Sequence, residues 1–247
     1  MLKGTSVPGT VLVFLALSSP AVAFDGRFPQ MVDLPTAYSI PKAAYSVGAR
    51  IGPHGAFIGG LRVGITDYLC VGVSYGALNV IGTGDPDWQD RVEFDIKVRL
   101  ADENEGPLGL AIGFDSRGYG DQREGGGFEK ASPGLFAVAS RTLPFSEHWA
   151  GHGGISRTLE QERARPDLFL GVSGRFSQEF SVSAEYEFPL DADDEEEDAG
   201  AGYLNAGLRW FFVDTVQIDF MFRNLVGGED SPELSSRAIA FTFYDRF

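Results

Sequence analysis

The sequence predicts an all-β protein, an antiparallel up-and-down transmembrane β-barrel of about twelve strands. Three observations carry this prediction. Arg91 to Leu100 alternates strictly between charged and apolar side chains, short and long connections alternate along the chain, and aromatic residues cluster beside the short connections. A strand with one apolar and one charged face suits a wall that has lipid on one side and a wet lumen on the other.

Composition is compatible with this fold and excludes other classes. With 43% hydrophobic residues and a mean hydropathy of -0.07, the 247-residue chain is too polar for a bundle of membrane helices. A membrane barrel needs only every second strand residue to be apolar. The net charge of -15 argues against a nucleic-acid partner. The single cysteine, Cys70, gives no disulfide framework and is predicted to be a small buried strand residue.

The N-terminus has the layout of a secretory signal peptide over residues 1–23. Lys3 is followed by an apolar run from Val11 to Leu17 and by Ala21-Val22-Ala23, a small-x-small cleavage site. We therefore expect export to the outer membrane of a Gram-negative bacterium, with membrane lipids, lipopolysaccharide and the barrel-assembly machinery as partners. Residues 24–42 contain three prolines and no periodicity, which predicts a periplasmic N-terminal extension or a partial plug.

Residues 43–247 form the predicted barrel. Its strand-like segments have the length that a tilted membrane strand requires. Their approximate cores are residues 43–51, 56–65, 68–76, 91–100, 108–116, 134–142, 148–156, 167–176, 179–188, 203–212, 215–223 and 236–247.

The connections between these segments alternate in length. Thr66-Asp67, Ser177-Gln178 and Val213-Asp214 are tight, whereas residues 77–90 and 117–133 make long connections. Short periplasmic turns and long outer loops are typical of outer-membrane barrels. An even number of strands places both chain ends on the periplasmic side.

Aromatic residues beside the short turns predict one of the two girdles at the lipid headgroups. These residues are Tyr68, Phe145, Trp149, Phe176, Phe180, Trp210, Phe211 and Phe212. The alternative is an aromatic core at the closed end of a soluble barrel. The last strand alternates Ile239, Phe241 and Phe243 and ends in Phe247, which resembles the assembly signal of bacterial outer-membrane barrels, although Asp245 departs from it.

If the apolar positions face lipid, the opposite positions line the lumen. This predicts as lumen-lining residues Arg50, Arg62, Arg91, Glu93, Asp95, Lys97, Arg99, Asp115, Arg141, Arg175, Glu185, Glu187, Arg209, Asp219 and Arg223. Nine are positive and six negative, a net +3 in a strongly acidic protein. One interpretation is a narrow path for anions or acidic glycans, and the other is an interior closed by ladders of salt bridges.

The motifs that could carry chemistry are weak, and no catalytic residue, metal ligand or cofactor is predicted. His152 and Ser156 invite comparison with barrel lipases, but four residues along a strand separate them by about 13 Å. A partner on a neighbouring strand stays open. Residues 191–198 hold seven acidic side chains and are predicted to be a solvated outer loop, with divalent-cation binding as the alternative.

Residues 33–120 resemble a known family. Asp33-Leu34-Pro35-Thr36-Ala37, Gly64-Ile65-Thr66-Asp67, residues 82–88 and residues 113–120 together look like the YjbH-type outer-membrane proteins associated with exopolysaccharide or capsule production. The resemblance implies a non-enzymatic role in polysaccharide export or surface attachment, as a narrow channel or an accessory protein. An outer-membrane lipid hydrolase and a purely structural closed barrel are the alternatives.

Overall fold

The computed structural model describes residues 27–122, 128–160, 165–188, 202–226 and 236–247. The predicted signal peptide and the acidic residues 191–198 lie outside this part of the chain. The strands are β1 (Ala44–Ile51), β2 (Phe57–Gly64), β3 (Leu69–Leu78), β4 (Asp87–Trp88), β5 (Glu93–Ala101), β6 (Gly109–Asp115), β7 (Tyr119–Gln122), β8 (Phe128–Lys130), β9 (Gly134–Leu143), β10 (Ser146–Arg157), β11 (Asp167–Arg175), β12 (Phe180–Phe188), β13 (Tyr203–Val213), β14 (Val216–Phe222) and β15 (Arg237–Arg246).

Twelve of these strands close into an antiparallel barrel, as predicted. Each pairs with the next barrel strand in sequence, and the last strand pairs with the first, from Ala44 opposite Arg246 to Ile51 opposite Ile239. Closure leaves no barrel strand with an unpaired edge, which is what a membrane-spanning sheet requires. The short turns lie at one end of the barrel, where the first strand begins and the last strand finishes, and we call this the inner end. The opposite end is the outer end.

Alternation along the strands decides which side chains face out of the barrel. On β5, Phe94 and Ile96 are 55% and 42% exposed, whereas Glu93 and Asp95 on the opposite face are 1% and 9% exposed. β15 shows the same pattern, with Phe241 pointing outward and Ala240 inward. The apolar exterior is therefore a continuous surface for lipid. No helix within the described ranges is long and apolar enough to cross a membrane.

Most of the aromatic residues beside the short turns lie on this outer surface. Phe176 stacks on Phe180 at 6.0 Å between ring centroids, and Phe180 stacks on Trp210 at 6.2 Å. Phe212 is 59% exposed. Phe211 departs from the predicted girdle because it has the inward parity of β13, and its ring stacks on Phe28 inside the barrel at 5.6 Å.

Residues 27–42 lie inside the barrel, and we call them the plug. Their apolar side chains are buried, with Ala37 at 0% and Ile40 at 1% exposure. The backbone folds back on itself, since the N–H of Thr36 donates to the carbonyl of Pro29 at 3.2 Å and Gln30 pairs with Pro35. Of the two expectations for this segment, the partial plug describes its position and the periplasmic extension does not, because the segment finds buried partners for both its apolar side chains and its backbone.

The connection between β6 and β9 covers part of the outer end. Its described residues form the short hairpin of β7 and β8. Lys130 on β8 pairs with Glu187 on the barrel wall at 2.8 Å, and Phe128 is 3% exposed. The lumen is thus filled from the inner end by the plug and narrowed at the outer end by this hairpin.

Candidate functional site: the plugged lumen

The tip of the plug is Asp33, which reaches the outer half of the lumen. Its carboxylate accepts two hydrogen bonds from the Arg223 guanidinium, at 2.5 and 2.8 Å, and one from Arg50 at 3.3 Å. Burial alone would raise the pKa of Asp33, but the two arginines outweigh burial and lower that pKa to about 2. A charged pair with this geometry is a strong contact between plug and wall.

Glu185 on β12 holds the backbone on both sides of the tip. The N–H groups of Val32, Asp33 and Leu34 all donate to its carboxylate at 3.0 Å. Asn205 on β13 adds a fourth donor at 2.9 Å. Successive backbone N–H groups that converge on one anion form a recurrent anion-binding arrangement. Here the anion belongs to the wall and the donors to the plug, so the turn at Asp33 is fixed in place.

Lys97 on β5 binds both legs of the plug. Its ammonium donates to the carbonyls of Pro29, Thr36 and Tyr38, at 2.5, 3.0 and 3.1 Å. An ammonium has three donors, and all three are used here. The two legs are therefore joined through one wall residue that is 8% exposed.

A chain of hydrogen bonds holds the second leg nearer the inner end. The N–H of Ala37 donates to Ser140 Oγ at 2.9 Å, and Ser140 Oγ lies 2.8 Å from His152 Nδ1. His152 Nε2 lies 2.9 Å from Ser173 Oγ. The ring of Tyr38 covers His152 edge-on at 5.8 Å. His152 therefore spans three strands beneath the plug.

The plug packs tightly on one half of the wall. Met31, Leu34 and Ala37 form an apolar cluster with Ala111, Phe136, Val138 and Phe169. Gly171 is needed for this approach, since a side chain at that position would collide with the Met31 sulfur. Cys70 is buried against Ile40 and Ala44, as a small strand residue.

The other half of the wall leaves a gap beside the plug. Small side chains line it on β1, β2, β3 and β15, namely Ser46, Gly48, Gly60, Ser74 and Thr242. Together with Gln30 to Asp33 of the plug they enclose a cavity of about 160 Å³. The plug thus fills the lumen asymmetrically.

Five ion pairs border this cavity. The pairs are Arg50 with Asp33 at 3.3 Å, Arg62 with Asp95 at 2.8 Å, Arg117 with Asp115, Lys130 with Glu187 at 2.8 Å, and Arg209 with Asp219 at 2.5 Å. Each of the five cations that line the cavity therefore has a carboxylate partner.

The structure places nearly all the predicted lumen residues on the inward face. Arg50, Arg62, Glu93, Asp95, Lys97, Asp115, Glu185, Glu187, Arg209, Asp219 and Arg223 lie within the lumen. Arg99 and Arg175 share this face at the inner end and donate to the turn carbonyls of Asp67 and Gln178. Arg91 precedes β5 at the outer end, where its half-exposed side chain pairs with Glu93 at 2.9 Å.

Arg141 was predicted to face the lumen and instead points out of the barrel. It shares the parity of Leu135 on β9, which is 52% exposed, whereas Phe136, Val138 and Ser140 point inward. Its guanidinium donates to the carbonyls of Gly106 and Pro107 in the neighbouring short turn. A long side chain at the end of a strand can bind a turn without entering the hydrocarbon region.

Sequence reasoning missed Asp33, Arg117 and Lys130. Asp33 lies in a segment without periodicity, so no pattern pointed to the lumen. Arg117 and Lys130 lie in a long outer connection, and the short β7–β8 hairpin brings them back over the mouth. The signal that could have found them is the alternation of residues 128–130, which is too short to stand alone.

The hydrolase alternative meets a geometric obstacle. His152 does have a serine partner across the strands, but it is Ser140 rather than Ser156, and both lie under the plug at 4% and 1% exposure. The N–H of Ala37 already occupies Ser140 Oγ. A nucleophile enclosed in the lumen cannot reach a lipid on the outer surface of the barrel. His148 is exposed, near Glu147 at the inner end.

The chain was compared with family models, with curated protein sequences and with solved structures. No family model matches the chain, and no curated protein matches its sequence. Among solved structures, the KdgM porin superposes on this chain with a TM-score of 0.49 at 6% identity. The KdgM porin in complex with disordered oligogalacturonate superposes with a TM-score of 0.50, also at 6% identity. Each superposition covers 83% of this chain and 99% of the porin chain. Omp33 of Acinetobacter baumannii superposes with a TM-score of 0.43 at 9% identity, over 83% of this chain and 97% of that one.

The chain has the fold of an outer-membrane β-barrel. The closed wall and the apolar exterior described above belong to the same architecture. The likeness to the YjbH-type proteins rests on the sequence motifs alone.

Proposed function

We propose that this protein is a gated channel of the outer membrane, in which the plug is the gate and acidic oligosaccharides or exopolysaccharide strands are the solute. The observation that carries the proposal is the asymmetric filling of the lumen. A cavity of about 160 Å³ already lies between the plug and a wall of small side chains. Withdrawal of the plug would join this cavity to both ends of the barrel.

Charged hydrogen bonds, in addition to apolar packing, hold the plug against the wall. Lys97, Glu185 and Arg223 bind it through charged hydrogen bonds. Buried ionic contacts contribute little net stability compared with apolar packing, although they specify one arrangement. Such contacts also allow both plug and wall to be solvated once they separate, which suits a segment with two positions.

The solute class is supported by two independent likenesses. The KdgM structure that superposes on this chain holds disordered oligogalacturonate, an acidic oligosaccharide. The YjbH-type resemblance of residues 33–120 implies a role in exopolysaccharide production. The arginine and lysine residues around the cavity are suited to carboxylated sugars.

A purely structural closed barrel is the second candidate. It is favoured by the five balanced ion pairs around the cavity, which leave no cation there without a carboxylate among the described residues. In that case the plug would be a permanent part of the core.

Planar-bilayer recording separates the two candidates. The variant Asp33→Asn removes the charge that binds Arg50 and Arg223, and Asp67→Asn is the matched control in an exposed inner turn. We expect Asp33→Asn to open at least about tenfold more often than wild type, because a lost charged contact of about 1.4 kcal/mol or more shifts the equilibrium by that factor. Asp67→Asn should behave as wild type. A correctly assembled but silent Asp33→Asn barrel would favour the structural role.

A further inference from the structure

Two arginines converge on one carboxylate at the tip of the plug. Arg223 is 2% exposed, and its guanidinium also lies over the ring of Tyr119 at 4.4 Å. Arg50 and Arg223 each form an ion pair with Asp33 and with no other carboxylate in the described ranges. The other cations around the cavity have carboxylates of the wall or of the outer connection as partners. Among the described residues around the cavity and the pocket, Arg50 and Arg223 are the cations whose carboxylate partner belongs to the plug.

This pair lies between the lumen and a pocket at the outer end. The pocket has a volume of about 60 Å³, and both arginines line it. Gln89, Tyr119 and Ser236 also line it, and each has a buried side-chain oxygen without a hydrogen-bond partner in the described part of the chain. Ile58, Leu78 and Phe128 supply apolar surface. We call this pocket the vestibule.

The vestibule combines features that recognise a sugar acid. A planar guanidinium binds a carboxylate through two parallel hydrogen bonds, as Arg223 binds Asp33. Hydroxyl and amide oxygens pair with sugar hydroxyls, and apolar surface covers a sugar ring. Buried polar groups are normally hydrogen-bonded, so unpartnered oxygens that line a pocket indicate a polar ligand.

We propose that Arg50 and Arg223 form a binding site for the carboxylate of a uronic acid entering from the outer end, and that Asp33 occupies this site when no ligand is bound. Ligand and plug then compete for the same two guanidinium groups. Binding of the sugar acid displaces Asp33, and the plug loses its outermost contact. This inference rests on the proposed function, for which it names the ligand group and the trigger.

Calorimetric binding of trigalacturonate to the detergent-solubilised protein tests the competition. Asp33→Asn should bind trigalacturonate at least about tenfold more tightly than wild type. The apparent affinity of a site is proportional to the fraction of time for which it is free, and in wild type Asp33 occupies this site most of the time. Asp67→Asn should bind as wild type. Maltotriose, which is neutral, should bind no variant better than another.

The double variant Asp33→Asn/Arg223→Gln assigns the binding to the arginine. It removes one charge of each sign and leaves no buried carboxylate unpaired, so the barrel should assemble, as checked by heat-modifiable migration on a gel. We expect the gain shown by Asp33→Asn to be lost. Equal binding by Asp33→Asn and the double variant would overturn the assignment, as would equal binding by wild type and Asp33→Asn.

The outcomes distinguish this inference from the channel proposal. Tighter trigalacturonate binding by Asp33→Asn, lost in the double variant, supports the carboxylate site even if every variant is silent in bilayers. A conducting Asp33→Asn barrel that binds trigalacturonate no better than wild type supports the gate and refutes the site.

Discussion

Single residues on β5 define the boundary between lipid and lumen. Ile96 faces outward at 42% exposure, and its neighbour Lys97 faces inward and binds three plug carbonyls. This alternation was read correctly from Arg91 to Leu100, because the period of two is a property of the extended backbone. What Lys97 binds could not be read, since its partners are backbone atoms far away in the sequence.

Ile96→Arg should impair barrel assembly. An arginine on the lipid face near the middle of the membrane costs about 2 to 4 kcal/mol. Reversible unfolding in urea in the presence of lipid vesicles measures this cost, and Ile96→Leu is the control that keeps an apolar side chain. Normal stability of Ile96→Arg would mean that the face assigned to lipid is wrong.

Asp33 gives a pH-dependent contribution with a defined sign. Its folded pKa of about 2 lies below the ordinary 3.8, so the ionised form is favoured by the plugged state. A shift of this size corresponds to about 2 kcal/mol. That stabilisation is fully present above the ordinary pKa and is lost as the pH falls through about 2.

The stability difference between wild type and Asp33→Asn should therefore persist down to pH 5 and shrink below pH 3. Thermal unfolding of both proteins at a series of pH values measures it. The groups around Asp33 include Arg50, Arg223, Lys130 and Glu185. A difference that disappears already at pH 5 would show that Asp33 does not form the ion pair described.

At the scale of elements, the strands were predictable, whereas a plug was only one of two alternatives for its segment. The predicted core 167–176 corresponds to Asp167–Arg175, and the predicted core 203–212 to Tyr203–Val213. Hydrophobic alternation and turn residues suffice for such strands. Residues 27–42 have three prolines and take their shape from the lumen around them, so local patterns carried no information about their position. The prediction for Arg141 failed for a related reason, because the position of its side chain depends on carbonyls of the neighbouring turn.

The contribution of the wall to the stability of the plug can be tested at Glu185. Glu185→Gln removes the charge that accepts the N–H groups of Val32, Asp33 and Leu34. Hydrogen bonds to charged groups contribute about 1.5 to 3 kcal/mol each, so hydrogen exchange at these amides should be at least about tenfold faster.

Glu187→Gln is the matched control for this experiment. It lies on the same strand and the same face, but it pairs with Lys130 of the outer hairpin rather than with the plug. Exchange at Val32 to Leu34 should be unchanged in this variant. Equal acceleration in both variants would point to general loosening of the barrel instead of release of the plug.

At the scale of the whole molecule, an acidic chain encloses a lumen in which ion pairs border the cavity, while Lys97 and Glu185 bind uncharged groups of the plug. The sequence tally of nine positive and six negative wall residues suggested an excess of cations. Without Arg141, and with Asp33 from the plug and Arg117 and Lys130 from the outer connection, the count is ten positive and seven negative residues, still a net +3. Segments outside the strands therefore supply part of the lumen charge, and the plug is the one that we propose to move.

The most direct test is to loosen the plug and then lock it. Lys97→Met removes the ammonium that joins the two legs of the plug, and Lys42→Met is the control at an exposed lysine. The lock is Ala37→Cys with Gly109→Cys, because a Cβ built at Gly109 lies 3.5 Å from that of Ala37, within disulfide range. Cys70→Ser is included throughout to prevent other pairings.

We predict that Lys97→Met conducts in planar bilayers, that the same barrel with an oxidised lock is silent, and that reduction restores its conductance. Lys42→Met should match wild type. Equal conductance of the oxidised and reduced locked barrels, or silence of an assembled Lys97→Met barrel, would contradict the claim that the plug gates the lumen.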